Sequence, residues 1–281
     1  MRKSPLWTLP CALLLVAAAC GQPANDDANG NGEVESAFEG YAVTVEVAGS
    51  PVEIDLGEVD ATTFEGADAV RLSRVVEQAA LESPWNHHYS FEAADGWNLL
   101  NDRLEGDPST LPYYGELEQG FIVHCESEED GLCLAWDPAL DVPGYLRVKQ
   151  MNGGIIEAVE IAETTMLVVA GEARKAVDLS TLETIGYVDY NYPEDGEIQA
   201  IPFLDILDAA GVADASAFGY KMYGNDGFSN NDENLMAYEN AEHAYVRPDT
   251  RRVLLDEEWD TDECCWRVSD TVLVLGIPVE G

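Results

Sequence analysis

IPFLDILDAAGVADASAFGYKMYGNDGFS, residues 201–229, decides how the chain is read, because the chain contains it twice. VRLSRVVEQAAL at 70–81 matches IPFLDILDAAGV at 201–212, and YSFEAADGW at 89–97 matches YKMYGNDGF at 220–228. Both matches have the same spacing, 131 residues (70 to 201, 95 to 226). Self-similarity at one fixed spacing marks a duplicated unit. Within the stretch, apolar residues recur at helical spacing over 201–211, a strand follows, and Asp226-Gly227 forms a tight turn.

Outward from this stretch each copy reads as strand-rich with one or two short helices, which makes the fold class α+β. Module one spans 41–162. YAVTVEVAGSPVEIDL alternates apolar and polar residues around Gly49-Ser50-Pro51 and predicts a β-hairpin. Ala69 to Leu81 predicts a helix, with Val70, Leu72, Val75, Val76, Ala79 and Ala80 on its apolar face. Tyr89 to Ala93 is a strand ending at the Asp95-Gly96 turn, and 101–118 is an irregular excursion around Pro108 and Pro112. FIVHC at 121–125 and LCLAW at 132–136 are strands joined by an acidic turn. Tyr145 to Met151 and Ile155 to Ile161 read as a closing strand pair around Asn152-Gly153-Gly154.

Module two spans 163–281. MLVVAG at 166–171 answers VEVAG at 45–49, AVDLSTL at 176–182 answers EIDLGEV at 53–59, and Arg267-Val268 answers Arg147-Val148. IGYVDYNYP at 185–193 is an aromatic-rich strand, and Glu194-Asp195-Gly196 is a turn. VRPDTRRVLLDEE at 246–258 reads as a short element with a solvated face.

The hydrophobic fraction, 46%, suffices for a real core. The charge is extreme: 14 Lys+Arg against 54 Asp+Glu, a net −40. Such a surface repels phosphate backbones, so nucleic acid is excluded as a partner. The acids are scattered and suit solubility in high salt or an exposed extracellular life, the alternative being a cation-binding surface.

Residues 1–19 read as an export leader: Arg2-Lys3, then an apolar run from Leu6 to Ala19, too short for the ~20 residues that cross a bilayer. Val16-Ala17-Ala18-Ala19-Cys20-Gly21 resembles the lipobox of bacterial lipoproteins. The resemblance implies that Cys20 is acylated and tethers the protein to the membrane; Ala17 departs from the more usual Leu. The alternative is ordinary cleavage after Ala-x-Ala. Residues 20–40 read as an acidic, flexible tether. Gly21, where an Asp would hold the lipoprotein at the inner membrane, points to the outer membrane or cell surface of the envelope.

The order of pieces is also distinctive: a strand ending in Ala-Gly, then Val-Asp-Leu-x-x-Leu, the helix Ile201 to Gly211, and Asn225 to Ser229. This resembles the oxidoreductase molybdopterin-binding domain of the sulfite oxidase type, present as two degenerate modules over most of 41–281. Weaker copies of the signature stand at Val70 to Ala80 and Ala94 to Asn98. The resemblance implies a Cys in the loop before the helix, supplying a soft thiolate to molybdenum. Neither 189–196 nor 62–69 holds one. Basic residues to hold an anionic pterin are few, and Arg2-Lys3 is not a twin arginine. The expectation is therefore modules without a cofactor, molybdopterin being possible but disfavoured. They would serve as a binding or accessory protein for an unidentified protein or small molecule. The alternative is an oxidoreductase that holds molybdopterin through atypical ligands, for instance at Cys264-Cys265.

After Cys20, an exported chain is expected to pair its thiols. Cys125 and Cys133 flank an acidic turn and predict a cross-strand disulfide; Cys264 and Cys265 form a vicinal bridge or pair elsewhere. A zinc site from His124, Cys125, Cys264 and Cys265 lacks the usual spacing. His87-His88 read as solvated loop residues. The acids and amides from Asp226 to Glu233 lack the order of a calcium loop. No metal site and no catalytic residue is assigned, since nucleophile elbow, phosphate loop and dinucleotide fingerprint are all missing. The one candidate ligand pocket gathers Tyr187, Tyr190 and Tyr192 with Asp226, Gly227 and Phe228, either as a plug of aromatic side chains or as a site for an apolar or aromatic ligand.

Overall fold

Strand alternation sets out the first half. In the computed structural model, residues 36–279 are described, apart from 107, 128–130, 141–142, 231–233 and 260–265. The first half runs β1 (Ala42–Val47), β2 (Ser50–Asp55), β3 (Ala61–Phe64), β4 (Ala67–Arg71), α1 (Leu72–Gln78), β5 (His87–Glu92), α2 (Tyr114–Leu117), β6 (Gly120–His124), β7 (Leu132–Trp136) and β8 (Ile155–Glu160). The second repeats that order: β9 (Thr165–Ala170), β10 (Ala173–Asp178), β11 (Ile185–Val188), β12 (Glu197–Pro202), α3 (Phe203–Ala210), β13 (Phe218–Gly224), α4 (Tyr238–Ala241), β14 (Ala244–Arg247), β15 (Arg252–Leu255) and β16 (Thr271–Pro278). Four small sheets and few helices make this a mixed α+β protein, mostly β.

The sheets repeat as the elements do. One half has the order β2-β1-β8-β5, the other β10-β9-β16-β13; the smaller sheets are β3-β4-β6-β7 and β11-β12-β14-β15. In each half the last strand returns to lie parallel beside the first, β8 on β1 and β16 on β9, while the other pairs are antiparallel. The correspondence reaches single side chains. Tyr89 Oη donates to the Pro84 carbonyl at 2.8 Å and Tyr220 Oη to the Ala215 carbonyl at 2.6 Å. In the turns after β5 and β13, Trp97 N–H donates to Asp95 Oδ1 at 3.1 Å and Phe228 N–H to Asp226 Oδ1 at 2.9 Å.

Each half has its own core. α3 buries Phe203, Ile206, Leu207 and Ala210, the stripe that its 3–4 spacing predicts, while Asp205 sits in its positive first turn. Each large apolar side chain taken fully out of water contributes about 1.5–3 kcal/mol, so this short helix is held by packing on β10, β12 and β14 and not by its own length. α1 does the same in the first half with Leu72, Val75 and Val76. A third, smaller cluster lies where the halves meet and joins Trp85 and Tyr113 to Leu167, Tyr223 and Leu273.

Several expectations need correction. The segment 145–151 is not a strand: Gly144–Leu146 is a 3-10 turn, and only an isolated bridge links Lys149 to Cys133. The edge it would have paired with is taken, because β8 already lies between β1 and β5. VRPDTRRVLLDEE does have a solvated face at Asp249, Thr250, Glu257 and Glu258, but it also carries the end of β14 and all of β15, and Val253, Leu254 and Leu255 are buried. His87 and His88 are buried strand residues of β5. Burial lowers the His87 imidazole below its usual pKa, against the opposing pull of the Ser83 carbonyl and Glu160. The end of the expected tether is folded too: Phe38 is fully buried and stacks on His124 at 5.1 Å, and the His124 ring lies 3.0 Å from the Ala37 carbonyl.

The expected disulfide between Cys125 and Cys133 is present, with Cα atoms 5.3 Å apart, at the turn end of the β6–β7 hairpin. Cys20, Cys264 and Cys265, and with them the lipidation and second pairing, lie outside the described residues. So do residues 1–35 of the leader and tether. No helix among the described residues is long and apolar enough to cross a membrane.

Candidate functional site

In the second half, β11 turns Tyr187 inward. Its ring packs on Tyr245 at 4.7 Å and its hydroxyl donates to the Leu255 carbonyl at 2.7 Å. Burial, with Asp256 and Asp189 nearby, pushes that phenol well above its ordinary pKa, so it stays a neutral donor. The loop 189–196 then folds back over the small sheet. Asp189 is buried and shapes it, accepting the Asn191 N–H on Oδ1 at 3.0 Å, while its own carbonyl accepts the Tyr192 N–H at 3.0 Å.

Arginines on and beside the sheet hold this loop, Arg247 of β14 lying 3.7 Å from Asp195 Oδ2. Arg267 lies 3.5 Å from Asp189 Oδ1, spreads over the Tyr190 ring at 4.8 Å, and faces the Asn191 carboxamide. Arg252, on β15, lies over Tyr192 at 4.7 Å. A guanidinium suits this arrangement, being able to stack on a ring and pair with a carboxylate at once. Tyr187, Tyr190 and Tyr192 therefore form one neighbourhood in which the loop covers its own sheet.

Asp226, Gly227 and Phe228 belong to another neighbourhood, the joint between the halves. Gly227 has φ +83, and a Cβ there would lie 2.6 Å from Trp85 Nε1. Phe228 is half exposed. Trp85 in turn stacks on Tyr223 at 4.5 Å and 9°. The buried Asn230, one of the amides between Asp226 and Glu233, is structural: it accepts the Met222 N–H and donates to the Tyr220 and Asn234 carbonyls.

In the first half the matching place is open. Phe64 packs on Phe121 at 4.8 Å as Tyr187 packs on Tyr245, but β3 and β4 are joined only by Glu65-Gly66. That turn has positive φ at both residues, +51 and +85, as the tightest hairpins require. Beside it lies a cavity of about 540 Å³ lined by Phe64, Val123, Cys133, Leu134, Arg147 and Lys149. Arg147 and Lys149 also line an adjoining cavity of about 340 Å³ that holds Trp97 and Tyr145. The aromatic crowding at Tyr187, Tyr190 and Tyr192 was legible in the sequence, although only Tyr187 is in a strand and the other two lie in the loop after it; Arg147 was not, although its match to Arg267 was the available signal.

Among the described residues, which leave out Cys264 and Cys265, the donor set does not fit a molybdenum–pterin centre. The loop before α3 offers Asp189, Tyr190, Asn191 and Tyr192 and no thiolate, and Cys125 and Cys133 are bonded to each other. Arg247, Arg252 and Arg267, cations beside that loop, are engaged with its own side chains. No family model, no curated protein and no solved structure matches this chain.

Proposed function

We propose that the protein is a lipid-anchored binding or accessory protein of the bacterial envelope. In this reading its halves are degenerate modules of the kind that resembles the sulfite-oxidase-type molybdopterin-binding domain, without the cofactor. Cys20 carries the lipid, the mature chain stands at the outer membrane or cell surface, and the task is recognition of a protein or small molecule and not catalysis. The observation that carries this reading is the loop 189–196, where the resemblance calls for a thiolate but Asp189 and Tyr190 pack against Arg267 instead.

The test is expression of the full chain, leader included, in a bacterial host that makes molybdopterin. Palmitate label in the membrane fraction that disappears in Cys20→Ala, together with no molybdenum in the purified protein, is the expected result. Near-stoichiometric molybdenum would overturn the cofactor-free reading, and label retained in Cys20→Ala would overturn the anchor.

A further inference from the structure

The second half contains a worked example of what the first half leaves uncovered. The two small sheets have the same strand order, the same aromatic pair at the same place, and an arginine–valine step at the same point of the chain. The Val148 carbonyl accepts the Leu134 N–H at 2.7 Å, and the Val268 carbonyl accepts the Val253 N–H at 3.0 Å, so Arg147 and Arg267 stand beside corresponding strands, β7 and β15, in the same register. What differs is the connection between the first two strands. In the second half it is the loop 189–196, which lays a carboxylate, a phenol ring and a carboxamide on Arg267. In the first half it is Glu65-Gly66, which reaches nothing of the kind.

Arg147 is consequently exposed, and among the described residues its guanidinium has no acidic partner. The surroundings strengthen the case. In a chain of net −40, Arg147 lines a cavity with Trp97 and Tyr145, and Arg103 lies 5.3 Å over the Tyr145 ring. Cations are scarce here, so two arginines beside two aromatic rings are not an average piece of this surface. Asp95, Glu65 and Glu126 rim the two cavities and favour an occupant that places its own negative charge centrally, at Arg147, and not at the edge.

We infer that the cavity beside Arg147 binds an acidic, tyrosine-bearing peptide segment of a partner protein, in the way that the loop 189–196 binds Arg267. The carboxylate pairs with the guanidinium, the phenol ring stacks on its face, and the apolar floor of Phe64, Val123 and Leu134 takes the flank of the segment. The inference rests on the reading of the chain as a binding protein and names its partner class.

The probe is an end-capped peptide with the sequence of residues 189–194, titrated calorimetrically into the full mature chain. Saturable binding is expected, weakened at least tenfold by Arg147→Ala, and likewise when the peptide's aspartate is replaced by asparagine or its first tyrosine by alanine. Arg147→Lys keeps the charge but not the flat stacking fork, and is expected to lose most of the affinity as well. Arg147 is exposed, so a melting curve unchanged by either substitution is expected and makes the loss readable. No saturable binding, or binding indifferent to Arg147, would overturn the inference. Equal affinity for free 4-hydroxyphenylacetate would overturn it too, by assigning the cavity to small aromatic acids. Peptide failure in a lipidated, molybdenum-free protein sinks this occupant alone, whereas molybdenum in the protein sinks the reading beneath it.

Discussion

Arg174, on β10 of the second half, grips Glu116, on α2 of the first, with both terminal nitrogens at 2.7 Å from its two carboxylate oxygens. The same guanidinium donates to the Leu111 carbonyl at 2.7 Å and lies over the Tyr113 ring at 5.6 Å. Burial alone would weaken the charge on Arg174; the Glu116 hydrogen bonds and charge reverse that and raise its pKa above the usual arginine value. This pair and the Trp85–Tyr223 stack tie two separately cored halves into one unit.

Arg174→Ala is therefore expected to destabilise the protein by about 2–3 kcal/mol, at or below the low end for breaking a buried pair because this one is partly exposed, since Glu116 is left without its counter-charge. Glu116→Gln keeps the shape and one acceptor and is expected to cost less, about 1–2 kcal/mol. Urea unfolding followed by tryptophan fluorescence measures both. Equal stability of wild type and Arg174→Ala would show that the pair does not join the halves.

Gly227 and Gly96 occupy the same turn in the two halves, and both have positive φ, +83 and +89. Only Gly227 faces Trp85; at Gly96 an added Cβ would meet nothing within 4 Å. Gly96→Ala should then cost about 1 kcal/mol, the backbone share alone. Gly227→Ala should cost at least about 2 kcal/mol and alter the Trp85 fluorescence, since the indole must move off Tyr223. Thermal melts of the two variants decide it, and equal losses would contradict the joint as described.

On the first large sheet, Glu157 of β8 stands opposite Glu46 of β1. Burial first, then Glu46 and Glu92, raise its pKa above the ordinary carboxylate value. A raised carboxylate pKa penalises the folded state above the unfolded pKa, and the penalty fades as pH falls through the folded value. Glu157→Gln is expected to gain a few tenths to about 1 kcal/mol at pH 7. The gain should vanish below the carboxylate range, as pH-dependent denaturant melts would reveal. A variant less stable than wild type at neutral pH contradicts the assignment.

Much of this architecture is legible where one period runs cleanly. The alternation of 41–56 gives the β1–β2 hairpin, and the 3–4 spacing of Phe203, Ile206, Leu207 and Ala210 gives α3. β4 and β12 are hidden because each runs into its helix without a break: Val70 and Arg71 are still strand, and Leu72 is already helix. The tandem apolar run of β15 was masked by its basic and acidic neighbours, and a strand's two buried faces only become clear once the partner strands are known. For the site, Tyr187, Tyr190 and Tyr192 announce themselves by aromatic crowding. Arg147 does not, because Phe64 and Cys133, which wall its cavity, lie far from it in sequence. Only the duplicated arginine–valine step pointed there.

The most direct test of the account is to replace the loop 189–196 by Glu-Gly, the turn that joins β3 to β4, and to count peptide sites calorimetrically. If the two halves are one module twice, differing in whether a loop covers the arginine, the peptide of residues 189–194 should bind once to the wild type and twice to the variant. The added site should disappear with Arg267→Ala. A variant that folds and still binds no more than one peptide would contradict the equivalence of Arg147 and Arg267 on which the account stands.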